Sequence, residues 1–458
     1  MQSTLKAQRY FFIGIGGIGM SALAFMCQQA GHTVAGCDRR LTPMANTLTE
    51  QGIEVSLEAD IHDLSEYDVI VYSSAISLDH RLRRLADQQQ KHCCHRAELL
   101  AQLTAEFEQS VVITGTHGKT TTTSLLTHIL QVHGADPTYY IGAQVHHAAY
   151  HAAYRPSAFA VIEGDESDAS FMEFAPQRAI LHNLDYDHMA TYEHSLENLQ
   201  AHFITFANQT DQCFICLDEP GIQAIVPQIH VPVLTYGFHP QADVHALNYH
   251  IGQQYDTFDL HYQDQHYPGF ELPLPGRHNV RNALAAISYA LTMNIPVATI
   301  QQALKSFHGT KRRFDRYQAK IGSANVLLID DYGHHPAEVS STLETIEQHF
   351  PKQRLIHVFQ PHRFSRTQAL FNEWVKALQT SDVLLLMDTF SAGEAPIPGA
   401  TSRDLATYLQ QQGHDHCIAV GHHDNVIQWL THAVKPNDII LFQGAGDVTQ
   451  LVDHYVTR

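Results

Sequence analysis

Positive charge is scarce in this 458-residue sequence: Lys and Arg number 28 against 47 Asp and Glu, a formal net charge of −19. Such a surface repels a phosphate backbone, which argues against nucleic acid as the main partner and requires a local site for any anionic ligand. Cysteine is sparse as well. Seven thiols, an odd number in so long a chain, point to reduced cysteines rather than a disulfide framework. The one C-x-x-C, Cys213 and Cys216, lies inside the strand-like stretch QCFICLD with no second pair nearby and reads as plain β-strand. No apolar run approaches membrane-spanning length, and the opening MQSTLKAQRYFFIG lacks the basic stretch, apolar core and cleavage site of a signal peptide. A soluble, cytoplasmic protein with no membrane partner is the expectation. Neither a fixed-period repeat nor a low-complexity segment is present, which excludes a solenoid.

What the chain does have is enough apolar residue, 44%, to build cores, and enough length for about two to four of them. Short aliphatic or β-branched runs alternate with helix-length amphipathic stretches from end to end, the pattern of parallel sheets with helical crossovers. The fold expected is α/β in three domains: residues 1–107, 108–309 and 310–458. Histidine is the compositional excess, 34 residues in groups such as KHCCH, VHHAAYH and VGHHDN. These groups share no ligand spacing and read as surface bias, which would make net charge strongly pH-dependent below about pH 6.

The first block carries RYFFIGIGGIGMSALAF, a strand, a tight turn with Gly14, Gly16 and Gly19, and a helix, with Asp38 ending the next strand. This fits a dinucleotide fingerprint, yet its physics is that of any pyrophosphate laid against backbone N–H groups at a helix N-terminus, NAD or nucleotide sugar alike. The second block carries VVITGTHGKTTTTSLL. Gly115, Gly118, Lys119 and Thr120 form a short phosphate loop, although Ile113 stands where a full Walker loop requires Gly. Two later strands end in Glu163, Asp165, Glu166 and Asp168 and in Asp185, Asp187 and His188. Because carboxyl ends of parallel strands lie together, such acids can gather beside the loop and serve Mg²⁺ with ATP. In the third block DDYGHHPAE and FQPHRFSRT end successive strands and offer Asp331, Tyr332, His334, His335, His362, Arg363 and Arg366, donors suited to a small carboxylate.

Together these stretches, with YSSAI, RAELLAQL, DYDHMATYE, PGRHNVRNA and QGAGD, resemble the peptidoglycan amino-acid ligases, the Mur ligase family, in order along almost the whole chain. The resemblance implies a Rossmann-like N-terminal domain for the UDP-sugar, a central P-loop-type ATPase domain, and a Rossmann-like C-terminal domain that binds the amino acid and closes on ATP. It turns the glycine loop, Gly14, Ile15, Gly16, Gly17, Ile18 and Gly19, with Asp38, Ser73 and Ser74, toward a UDP-sugar instead of NAD. It places Gly115, Thr116, His117, Gly118, Lys119, Thr120, Thr121, Asn279, Asn282, Arg313 and Asp331 around ATP. Thr120 and Glu163 would serve Mg²⁺, and His188 a second metal position. Lys119, Glu163, His188 and Arg313 would be catalytic, and Tyr332, His334, His362, Arg363 and Arg366 would receive the amino acid. The residues ESDASF and DHMATYE resemble the branch that adds L-alanine to UDP-N-acetylmuramate through an acyl phosphate.

Three rival readings have distinct signatures. A recycling ligase would take a tripeptide in place of alanine, a nucleotide-sugar dehydrogenase would use only the first glycine loop, and an ATP-gated binding module would bind without turnover. Departures from the family pattern are few. His95 replaces a common Pro before RAE, Lys311 precedes the paired arginines, and Gly164 follows Glu163 where Ala is common, which is expected to loosen the strand end that aims Glu163.

Overall fold

A computed structural model describes residues 7–143 and 151–456. His146 and His147 of the VHHAAYH group lie outside the described residues. The chain divides into two compact units. One runs up to Tyr249 and includes Thr257–Pro273 and Asn279–His308; the other comprises His250–Asp256, Leu274–His278 and the chain from Gly309 onward.

The first unit holds two sheets. Five parallel strands form the first, in the order Glu54–Leu57, Thr33–Asp38, Arg9–Ile13, Val69–Tyr72, His92–His95. Its central strand, RYFFI, is buried at every position after the first, as a strand covered on both faces requires. The ten-stranded second sheet has Arg178–Leu181, Gln109–Thr114 and Phe159–Glu163 as neighbours, mutually parallel, so their carboxyl ends share one edge. The helix Lys119–His133 leaves that edge between two glycines in left-handed conformation, Gly118 (φ 85°) and Gly134 (φ 90°), the second ending it as a C-terminal cap. One apolar core joins both sheets: Tyr10, Phe12 and Leu23 belong to the same buried cluster as Phe171, Phe203 and Phe206. The Phe171 ring lies 5.1 Å from each of the other two phenylalanine rings.

The second unit is a six-stranded sheet, ordered Asp315–Ile321, Ala324–Asp331, Ile439–Gln443, Leu355–Phe359, Val383–Met387, Cys417–Gly421, with an apolar core on each face. All neighbours are parallel except the first pair, an antiparallel hairpin closed at Ile321 and Ala324. The parallel pattern expected from the sequence holds through the rest of this sheet, and Gly322 (φ 60°) permits the tight turn of the one hairpin. A second antiparallel pair joins Tyr139 to Ala153 in the first unit. All seven cysteines are free thiols, and Cys213 and Cys216 are buried in the strand Gln212–Cys216. No helix among the described residues is long and apolar enough to cross a membrane.

Gly164 corrects one expectation. Its N–H donates to the Ile113 carbonyl at 2.8 Å, and a Cβ there would lie 2.7 Å from Val112 Cγ1 and 3.3 Å from Phe171 Cβ. The strand end is clamped, not loosened, and glycine is required because stiff Val112 already fills the methyl's space. Gly164→Ala should lower stability by about 1–3 kcal/mol, the usual cost of overpacking. A thermal unfolding midpoint unchanged from the parent would contradict this packing.

Candidate active site

The phosphate loop takes its shape from two glycines and a neighbouring strand end. Gly115 has φ 137°, and a Cβ there would sit 2.9 Å from His182 Cβ and 3.1 Å from Asn183 N. Asn183 latches the loop from both sides: its Oδ1 accepts from His117 N at 2.7 Å and its Nδ2 donates to the His117 carbonyl at 3.1 Å. Thr116 Oγ1 accepts from Asp185 N at 3.0 Å, and His117 Nε2 lies 3.2 Å from Asp185 Oδ2. On the other flank Asn282 packs against Gly118, donates from its Nδ2 to Asn279 Oδ1 at 3.4 Å, and accepts on its carbonyl from Thr122 Oγ1. Thr121 is buried one turn into the helix. Side chains thus hold the loop on both flanks, the preorganisation that backbone capture of a phosphate needs.

Lys119 folds back over this loop. Its Nζ donates to the carbonyls of Gly115 (2.7 Å) and Thr116 (3.2 Å) and lies 2.6 Å from Glu166 Oε2. Burial alone would push this ammonium down; the carboxylates of Glu166, Asp165 and Glu163 outweigh it and hold the group above its ordinary value. For Glu166 burial prevails over the pull of Lys119, and its carboxyl is pushed up to about 7. Beside them Thr120 Oγ1 donates to Glu163 Oε1 at 2.9 Å, and Glu163 Oε2 accepts from Gly142 N at 2.7 Å. A hydroxyl and a carboxylate held face to face are hard oxygen donors, the set that suits Mg²⁺. His188 adopts φ 53° after the strand Arg178–Leu181, and its ring engages Asp187 at 3.4 Å.

The glycine loop of the first sheet is built by Gly14 and Ile15 N–H groups donating to the Cys37 carbonyl at 2.8 and 3.0 Å. Asp38 Oδ2 accepts from Gly16 N at 3.0 Å, while Gly17 and Ile18 stay exposed. Gly19 is explained by the neighbouring sheet: a Cβ would lie 2.7 Å from Tyr140 Oη, which donates to the Gly19 carbonyl at 3.2 Å. Ser74 Oγ donates to Asp168 and lies 3.1 Å from His95 Nε2, whereas Ser73 uses its carbonyl to close the turn at Ile76. Arg96 completes this junction, donating to Asp165 at 2.9 Å and Asp168 at 3.4 Å. Burial pushes Asp165 up, but Arg96 and Lys119 outweigh it and keep it ionised below the ordinary carboxylate range.

In the second unit, Tyr332, His334, His362 and Arg366 come together. The His334 and His362 rings are 5.9 Å apart, His362 stacks on Phe390 at 5.4 Å, and Arg366 Nη1 donates to His362 Nδ1 at 3.4 Å. Burial, with Arg366 and Arg363, pushes His362 down to about 4, so it is a neutral acceptor near pH 7. Arg363, at φ 69°, opens the helix Phe364–Ala369 and donates its N–H to the Phe390 carbonyl at 2.8 Å. The Arg313 guanidinium lies 5.3 Å from the Tyr332 ring centre, with Nη1 3.5 Å from Glu338 Oε1. Glu338 is fixed by a capping box with His335 at the start of Pro336–His349. Asp331 is an organising group: Oδ1 accepts from Gly333 N (3.0 Å), Gln443 Nε2 (2.7 Å) and Thr342 Oγ1 (3.2 Å), and Oδ2 from Phe314 N (3.1 Å).

Sequence reasoning did not single out Glu166 as the partner of Lys119, nor Arg96, Tyr140, Asn183, Glu338 or Phe390. Glu166 and Arg96 stand inside recognisable stretches, DESD and RAE, so their types were visible; their pairings depend on which strand ends meet. Asn183 carries no local signal beyond its place at the end of a strand.

Comparison with known proteins agrees with this architecture. Residues 9–108 match the family described as "Mur ligase family, catalytic domain", residues 113–290 "Mur ligase middle domain", and residues 312–446 "Mur ligase, glutamate ligase domain". A curated UDP-N-acetylmuramate–L-alanine ligase of Hydrogenovibrio crunogenus is 38% identical over 452 residues, 97% of each chain. The crystal structure of a UDP-N-acetylmuramate-alanine ligase from Thermotoga maritima superposes with a TM-score of 0.82 at 25% identity, covering 98% of this chain and 99% of that one. A murein peptide ligase from Psychrobacter arcticus shares the fold, with a TM-score of 0.71 at 20% identity and 98% coverage of both chains. With three domains in this order and a relative so similar along its length, the chain belongs to the Mur ligase family.

Proposed function

We propose that this chain is an ATP-dependent ligase that joins L-alanine to the lactyl carboxylate of UDP-N-acetylmuramate, releasing UDP-N-acetylmuramoyl-L-alanine, ADP and phosphate, in peptidoglycan synthesis. The observation that carries the chemistry is the prebuilt loop Gly115–Gly118 with Lys119, Thr120 and Glu163 gathered at one sheet edge. The substrates are supported by the names of relatives 38% identical over nearly the whole chain. The curated relatives 38% identical along the chain are named for alanine addition, which favours that reading over the tripeptide one.

A carboxylate is a poor acyl donor because resonance spreads its charge, so an amine attacks it only after activation. The γ-phosphate of ATP supplies this: the lactyl carboxylate attacks phosphorus, ADP leaves, and the acyl phosphate is open to the amine of alanine, with phosphate as the second leaving group. Lys119, held beside the loop by Glu166, neutralises charge on the transferring group. Thr120 and Glu163 would hold Mg²⁺, which when bound neutralises phosphate charge, and His188 belongs to a second metal position. Gly115 to Thr121 cradle the phosphates, Asn279 and Asn282 serve the adenine side, and Arg313 and Asp331 serve the nucleotide from the C-terminal domain. Segment 1–107, with Gly14 to Gly19, Asp38, Ser73 and Ser74, holds the UDP-sugar. Segment 108–309 holds ATP, and within 310–458 Tyr332, His334, His362, Arg363 and Arg366 form the alanine pocket.

Phosphate release from Mg-ATP and UDP-N-acetylmuramate tests this directly, with L-alanine, the tripeptide L-Ala-γ-D-Glu-diaminopimelate, or no amine, and product mass checked. Release with alanine and a product heavier by one alanyl residue is expected; activity with tripeptide alone would move the protein to recycling, and silence in all three would leave a binding module. Lys119→Ala should keep the fold and UDP-sugar binding while losing at least ~100-fold in turnover, the cost of removing a charge-stabilising donor. Unimpaired turnover in that variant would overturn the ATP site.

Glu166 gives a pH signature. Its carboxyl titrates near 7 in the folded chain and near 4.5 when free, so between these values the folded state alone holds the proton and stability falls as pH rises. Glu166→Gln should remove that slope, and the wild-type minus variant difference in unfolding midpoint should decline from pH 4.5 to pH 7. A difference flat across this window would show that Glu166 is ionised throughout.

A further inference from the structure

The KHCCH group, which the sequence presents as one more histidine-rich stretch, has a geometry of its own. His92, Cys94 and Glu98 bring an imidazole nitrogen, a thiol sulfur and a carboxylate oxygen within 4.8 Å of one another. The arrangement follows from the elements. His92 and Cys94 are two apart on the edge strand His92–His95, so both point to the same face, and Glu98 stands in the first turn of the helix Arg96–Thr104 that follows. Cys94 is 2% exposed and fixed in the core, whereas His92 is exposed and Glu98 partly so. The thiol touches the His95 carbonyl at 3.4 Å, a weak contact, and Glu98 Oε1 accepts from Gln102 Nε2 at 3.4 Å.

We propose that His92, Cys94 and Glu98 form a binding site for one transition-metal dication of the zinc class. The donor set of sulfur, nitrogen and oxygen fits a borderline-soft, tetrahedral ion and does not fit Mg²⁺, which takes oxygen ligands in an octahedron. Bonds of about 2.0–2.3 Å to a central ion need donor separations of roughly 3.3–3.8 Å, so the group must contract by about 1 Å. The solvent-facing His92 and Glu98 side chains can supply that movement while Cys94 stays in place, and water takes the fourth position. A dication bound here favours the thiolate over the thiol. Binding therefore releases a proton and tightens as pH rises.

The site lies at a junction already described. His95 lies within 3.1 Å of Ser74 Oγ, and Arg96, the first residue of the helix, bonds Asp165 and Asp168. An ion bridging strand to helix pins the segment that carries both, a staple between the first sheet and the acidic strand end of the second.

The test is titration of the purified full-length protein, reduced and freed of metal, with Co²⁺ and then Zn²⁺. One equivalent of Co²⁺ should produce a near-ultraviolet thiolate-to-metal charge-transfer band, displaced by Zn²⁺, and Zn²⁺ should raise the unfolding midpoint. The band should vanish in Cys94→Ser. In His92→Ala, a change at an exposed position that leaves the core intact, Zn²⁺ affinity should fall at least about 10-fold, since even outer-shell losses at metal sites cost that much. Co²⁺ uptake without a charge-transfer band, a band that survives Cys94→Ser, or a Zn²⁺ affinity unchanged in His92→Ala would mean binding elsewhere on the chain and would overturn the proposal.

Discussion

The Lys119 ammonium is the charge around which the carboxyl edge of the second sheet is organised. It enters a buried environment at the start of a helix, where burial opposes it, and it is tolerated because three carboxylates from the adjoining strand end face it. Each of those carboxylates is in turn held: Glu163 by Thr120 and Gly142, Asp165 by Arg96, and Glu166 by Lys119 itself. Removing one partner leaves a buried charge without compensation, which costs far more than the pair contributes. The network consequently fixes the loop glycines, the strand end and the helix start relative to one another, and it does so across two sheets, because Arg96 belongs to the first and Asp165 to the second.

That linkage gives the two glycine loops different physical characters. The phosphate loop is closed by its neighbours, with Asn183 on one side and Asn282 on the other. The loop from Gly14 to Gly19 is open toward solvent at Gly17 and Ile18, and its third glycine is needed because Tyr140 of the second sheet approaches within contact of it. A dinucleotide fingerprint normally places that glycine for packing between its own helix and strand. Here the same spacing serves the junction between two sheets.

Much of the site was legible because it sits on local rules. Gly115 and Gly118 need left-handed or otherwise strained backbone, Lys119 follows them at a helix start, and acids end the parallel strands, all of which follow from strand–turn–helix patterning. The Arg/His cluster was visible for the same reason, as two strand ends of one sheet, although they are not side by side, because Ile439–Gln443 pairs between them. What could not be read were pairings fixed by sheet order. Nothing in DESD says that Glu166 rather than Asp165 meets Lys119, and nothing in DDYG says that Asp331 gathers four donors, because Gln443 arrives from a strand 112 residues later. Gly164 was misread because Val112, which fills its methyl space, comes from the adjacent strand. The antiparallel hairpin at Ile321 and Ala324 was hidden by a polar strand that alternates too evenly to announce a buried partner.

Activation of a carboxylate by phosphoryl transfer is the step that the proposed reaction depends on, and an isotope measurement reaches it most directly. UDP-N-acetylmuramate labelled with ¹⁸O in its lactyl carboxylate, turned over with Mg-ATP and L-alanine, should deliver one ¹⁸O per turnover into inorganic phosphate, because the oxygen that attacks phosphorus leaves with it when the amine adds. Phosphate free of label alongside amide product would contradict the acyl phosphate and with it the role drawn for the Lys119 loop.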